Sequence, residues 1–192
     1  MAHANEQIDR RRRQFIAAAT VGALTFQVGG IDVLLTPAQA RVQGAAFGVL
    51  TPAEVRALEA LGECLVPGAR VAGVAHYVDA NLRRSPATSL LMLRYLDVLP
   101  PHSDFYRLGL GALDTASMRQ HGLVFAVLGE AAATSLVAAI AKADPDGWQG
   151  PPAPLFYFAL RGDAVDIVYG TRAGFEKLGV PYLAHIEPAS DY

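Results

Sequence analysis

His76 and Asp79 stand three residues apart in "AGVAHYVDANL" (72–82). On a helix that spacing puts imidazole and carboxylate on one face, where they could form a charge-assisted pair able to orient a general base. The same pair can equally be a surface or core-edge contact with no chemistry attached. His121 is a further imidazole available to such a site; His102 and His185 complete the set downstream of residue 40. None of the four lies four residues from another imidazole ligand, so no helical metal pair is offered. Cys64, the single cysteine, follows Glu63 near a helix end without a neighbouring His or Lys to depress its pKa, and reads as a structural thiol.

The other motifs that could carry chemistry are missing. One cysteine cannot supply the Cys-x-x-Cys-His that holds covalent haem, nor an internal disulfide. "GLGALD" (109–114) has two glycines of a dinucleotide fingerprint but lacks the third, and it lies within a helical pattern, where glycine serves close packing. No Gly-x-Ser-x-Gly, phosphate-binding loop or His-Glu-x-x-His occurs. Catalytic, cofactor-binding and metal-binding residues are therefore assigned to none of the chain.

The elements that would position these residues read as helices. In "TPAEVRALEALGECLVPG" (51–68), Thr51, Pro52 and Glu54 form a capping box with proline at the first turn, and Val55, Leu58, Leu61 and Leu65 share one face. A second helix is expected from Val71, with Val71, Val74, Val78 and Leu82 inward. A third follows Ser85-Pro86 and ends at Pro100-Pro101. Further helices are expected from Ser103, from Gly129 and from Pro154, the last with Asp163 and Asp166 outward. No Val/Ile/Thr alternation is recognised, so the fold class is all-α: a single compact domain of about six helices with an irregular C-terminal segment.

The N-terminus reads as an address. Four arginines, Arg10–Arg13, precede an uncharged run from Phe15 to Phe26, too short for the roughly 20 apolar residues that cross a bilayer. "TPAQA" (36–40) ends in the small-x-small pattern of Ala38 and Ala40, which a signal peptidase accepts. Residues 1–40 are thus expected to be a leader and 41–192 the mature helical domain. Arg12, Arg13, Phe15 and Ile16 resemble the twin-arginine export motif, with Arg11 where a Ser or Thr is usual. An ordinary secretory signal stays open. The leader takes four of the 16 Lys and Arg and three of the 18 Asp and Glu, leaving 12 against 15. A chain so balanced offers no clustered basic face for nucleic acid.

"YGTRAGFEKLGVPYLAHIEPASDY" (169–192) is broken by glycines and prolines yet still apolar, so it must lie against something. Either it wraps its own helices or Tyr169, Phe175, Tyr182 and Leu183 serve as anchors on a partner surface.

Taken together, the leader, "LTPAEVRALEALGECLVPG", "AGVAHYVDANL" and "ALRGDAVDIVYGTRAGFEKLGVPY" resemble the gluconate 2-dehydrogenase subunit 3 family. The family often shows a Gly-Phe-Tyr and a Tyr-Gly-Gly-Asn-like turn after the last helix; here Tyr169-Gly170-Thr171 and Gly174-Phe175 stand without the Asn. The resemblance implies a small subunit without cofactor of its own. Its partners would be an FAD-dependent catalytic subunit and a multihaem cytochrome c subunit, in a complex at the periplasmic face of the inner membrane that oxidises a sugar, polyol or alcohol. It also implies that the leader exports the folded flavoprotein together with this chain. An independent periplasmic enzyme built on His76, Asp79 and His121, or a stand-alone binding protein, remains the alternative.

Overall fold

Thr51 opens the central helix as the sequence requires. Its hydroxyl accepts from the Glu54 amide at 3.3 Å, and the Glu54 carboxylate accepts from the Thr51 amide at 2.6 Å. In the computed structural model, which describes residues 23–181, this helix (α2, Pro52–Leu65) buries Ala57, Leu58, Leu61 and Gly62. The remaining helices are α1 (Pro37–Val42), α3 (Ala69–Ala72), α4 (Val74–Leu82), α5 (His102–His121), α6 (Glu130–Ile140), α7 (Ala153–Tyr169) and α8 (Arg172–Lys177). The protein is mostly helical, and one apolar core draws residues from the first strand through α7. Gly109 and Phe156 show how close the packing is: a Cβ at position 109 would lie 2.3 Å from the Phe156 ring. The "GLGALD" glycine is thus a helix contact rather than a nucleotide loop.

Two features depart from the helical expectation. Leu24–Val28 (β1) and Ile31–Leu35 (β2) form an antiparallel hairpin, with Leu24 opposite Leu35 and Phe26 opposite Val33. Gly29 and Gly30, at φ 58° and 81°, make the two-residue turn. Leu24 and Phe26 face inward and Thr25 and Gln27 outward, an alternation hidden in what reads as the tail of an apolar leader. The stretch 85–101, expected to be one helix, contains only short 3₁₀ turns at 86–88 and 92–95. The cause lies in its amides. Leu90 N–H is taken by the Asn81 side chain at 2.9 Å and Met92 N–H by the Asp163 carboxylate at 2.8 Å, which holds the chain out of helical register.

The expected helix from Val71 is split at Gly73, whose φ of 85° ends α3 and begins α4. Val74 and Val78 are buried as expected, but the split leaves Val71 on the surface. Part of the tail expected to be irregular is also helical: Thr171 caps α8 by accepting from the Gly174 amide at 3.0 Å.

Candidate docking site

The residues singled out for acid–base chemistry do not form a reactive pair. Asp79 is buried, and its carboxylate accepts from the amides of Gly48, Val49 and Leu50 at 3.0, 2.8 and 2.9 Å. Arg83, one turn along α4, stands 3.5 Å from the same carboxylate. Asp79 therefore clamps the irregular segment entering α2. His76 turns elsewhere: its Nε2 lies 3.3 Å from the Ala45 carbonyl, and its ring packs against Phe47 and Phe26 at centroid separations of 4.4 and 6.1 Å. Burial lowers the His76 pKa, outweighing the Ala45 carbonyl that favours the charged form, so the ring is a neutral core group. His121 is exposed at the C-terminal end of α5. Cys64 is partly buried 3.9 Å from the Thr134 hydroxyl, and burial raises its pKa, which suppresses the thiolate.

A second clamp was missed by the sequence reading, which placed Asp163 outward. Asp163 is fully buried on α7 and accepts from Tyr106 Oη at 2.5 Å and from the Met92 amide. Burial pushes its pKa up to about 7, against the lowering effect of these two donors. Tyr106, sealed in the same place, is raised well above its ordinary value by burial and the facing carboxylate. With both groups at 0 % exposure no substrate reaches them. Their product is the position of the 89–96 segment. Tyr77 fastens the same segment by donating to the Leu90 carbonyl at 2.8 Å, and burial raises its pKa so that it stays a neutral donor.

That segment is one wall of a groove of about 940 Å³. Leu90 and Tyr95 line it together with Val71 of α3, Ile167 and Val168 of α7, and the α8 segment. Val71 is 70 % exposed and Tyr95 63 %, an uncovered apolar rim rather than a filled core. The groove lining carries both signs of charge, Arg172 and Lys177 against Asp166 and Glu176; Lys177 stacks 5.6 Å over the Tyr169 ring, and outside the lining Arg94 stacks 5.5 Å over the Tyr95 ring. The "YGTRAG" turn is what lets α8 approach, since a Cβ at Gly174 would meet Val168 O and Tyr169 Cα at 2.5 Å.

Of the anchors expected from the sequence, Tyr169 is partly buried against the small core of Val66, Ala69, Val74 and Ala164, and Phe175 is partly buried on α8. Tyr182 and Leu183 lie outside the described residues, as do Arg12, Arg13, Phe15 and Ile16. Val71, Leu90 and Tyr95 are the members of this surface that the sequence reading overlooked. The available signal was an exposed-type aromatic and leucines in a stretch broken by prolines. Ala38 and Ala40 are described, and both lie in α1, with Ala40 at 0 % exposure.

Among the described residues no helix is long and apolar enough to cross a membrane, and no group of three or more His, Cys, Asp or Glu is placed to hold a metal ion. No curated protein and no solved structure matches the chain significantly. A family model, gluconate 2-dehydrogenase subunit 3, matches residues 52–185, a span that begins at the first turn of α2 and takes in the Asp163 clamp and most of the groove lining, all but Thr36, Pro37 and Ala38 at the start of α1. The chain belongs to the gluconate 2-dehydrogenase subunit 3 family.

Proposed function

We propose that this chain is a non-catalytic small subunit of a periplasmic, flavin-dependent sugar, polyol or alcohol dehydrogenase complex. In this reading it docks and stabilises an FAD-dependent catalytic subunit through the groove between α3, α7 and α8. The redox groups belong to the partners, FAD in that subunit and haem c in a multihaem cytochrome that passes electrons onward and holds the complex at the membrane. The Arg12-Arg13 motif serves as the address that takes the folded flavoprotein and this chain across together.

The observation that carries the reading is the contrast between sealed polar groups and an uncovered apolar rim inside the family span. Asp79, Asp163, Tyr106 and His76, the residues best suited to proton transfer, are spent on holding irregular chain in place. Of the exposed apolar residues, Val71, Leu90 and Tyr95 gather in one concave surface, with Arg94 and Lys177 stacked on neighbouring aromatic faces. Aromatic anchors and apolar side chains at the centre of a concave surface are what protein partners use.

The test is co-purification. A tagged full-length chain isolated from its own cells should bring down a polypeptide with bound-flavin absorbance and dehydrogenase turnover, together with a haem-staining subunit. Replacing Arg12 and Arg13 by Lys keeps the charge but loses the paired guanidinium geometry, and should stop export of both proteins. Turnover by the purified chain alone, or a folded complex whose rate falls about 100-fold on His76→Ala, would overturn the non-catalytic assignment.

A further inference from the structure

The hairpin and α1 lie upstream of the family span, in residues read from the sequence as a leader to be removed. They are built into the domain. Phe26 is 1 % exposed, and Leu24, Leu35 and Ala40 belong to the main core. Phe26 packs on His76, and the Ala46 amide donates to the Gln27 carbonyl at 2.9 Å, so the returning chain is hydrogen-bonded to the hairpin edge. Thr36 and Gln39 form a reciprocal capping box at the start of α1, with bonds of 2.9 and 3.2 Å. Arg41 at its end stands 3.4 Å from Glu59 of α2.

The small residues that suggest a peptidase site have a packing reason instead. At Gly73 a Cβ would lie 2.3 Å from the Pro37 carbonyl oxygen and 2.9 Å from the Ala38 amide, so α1 sits directly on the α3–α4 corner. Ala40 is fully buried in the main core. A signal peptidase reads the two small side chains from extended, accessible backbone, and here both are helical, with one of them sealed.

We infer that Leu24–Val42 is a permanent strap of the folded domain, and that the chain is not processed after Ala40 once it has folded. The inference uses the export reading for the order of events only: a chain exported already folded presents the strap, not an open cleavage site. It keeps its basic N-terminal segment after translocation. Folding before export and loss of that segment are then mutually exclusive.

Trypsin reads the strap without any appeal to export. The sequence has sites after Arg10–Arg13 and then no Lys or Arg until Arg41. Digestion of the purified full chain should accumulate a fragment that still contains Leu24–Val42, with cutting after Arg41 at least about 100-fold slower than after the upstream arginines. A fragment beginning at Val42 that forms as fast as the upstream cuts would overturn the strap. Intact-mass measurement of the chain recovered outside the cytoplasm should give an N-terminus before Leu24; an N-terminus at Arg41 would overturn retention. If no chain is recovered there, the export reading fails while the trypsin result still decides the strap.

Discussion

The two ends of the described chain border the same groove, through Thr36, Pro37 and Ala38 at one end and α8 at the other, and treat most of their apolar residues in opposite ways, although Ile31, Leu34 and Val42 at the first end are exposed too. At the N-terminal side, Leu24, Phe26, Leu35 and Ala40 are buried where β1 and α1 pack against α4, and the backbone around them is tied down by the capping box and the Ala46–Gln27 bond. On the C-terminal side, α8 packs on α7, and Leu178 and Val180 just beyond it are exposed, as is the Val71–Tyr95 rim. Apolar area buried on the first side contributes to folding; the exposed rim on the second does not. The first side is structural, and the second fits a partner.

The largest effect that would sharpen this comparison is removal of residues 1–40. Deleting Leu24, Phe26 and Leu35 forfeits about 1.5–3 kcal/mol for each buried side chain, a large share of a typical domain's total stability. The shortened chain should melt far below the full chain or aggregate. Truncation after Gly174 should leave the melting temperature of the helical body near that of the full chain while abolishing partner capture. Equal stability losses at the two ends would break the contrast.

The clamps come next. Asp79→Ala leaves three amides without their acceptor and should cost about 3 kcal/mol or more, read by denaturant unfolding. Tyr106→Phe removes one donor from buried Asp163 and should cost about 1–3 kcal/mol.

The same carboxylate sets a pH dependence. Its pKa is raised from 3.8 to about 7 on folding, so the folded state holds the proton more tightly than the unfolded chain. Its contribution is fully present below about pH 4 and lost as pH rises through 7, a decline of up to about 4 kcal/mol. Asp163→Asn should remove that slope. His76 acts with the opposite sign: its lowered pKa means stability is lost as pH falls below its unfolded value of 6.5. His76→Gln, which keeps a polar group near Ala45, should flatten the acid limb, and the hairpin should be the first region to lose hydrogen-exchange protection.

Much of this architecture is legible in the sequence where local signals and packing agree. The Thr51-Pro52-Glu54 box and the apolar stripe of α2 specify the central helix, and α5 and α7 follow from their length and from the prolines and glycines that bound them. What was not legible depends on long-range partners. Asp163 sits on the apolar face of α7 with Phe156, Leu160 and Ile167, a position that helical spacing already marks as inward. Only the distant Tyr106 and Met92 donors make a carboxylate tolerable there. The 85–101 segment has helix-like punctuation, yet side chains from α4 and α7 claim its amides. The hairpin was obscured by its neighbours, since five alternating residues after an apolar run read as more of that run. Val71 reads as inward because the break at Gly73 is not visible in helical spacing.

The smallest structural change with the sharpest functional reading lies on the rim. Val71→Asp and Tyr95→Ala alter side chains that are mostly in water, so each should leave the melting temperature within about 0.5 kcal/mol equivalent of the unaltered chain. The central claim is tested most directly by partner capture with these two variants, scored as flavoprotein retained per mole of tagged chain at matched melting temperature. A docking groove predicts that each change weakens capture by about 10-fold or more and that the pair abolishes it. Undiminished capture by the folded double variant would contradict the account and place the partner elsewhere on the molecule.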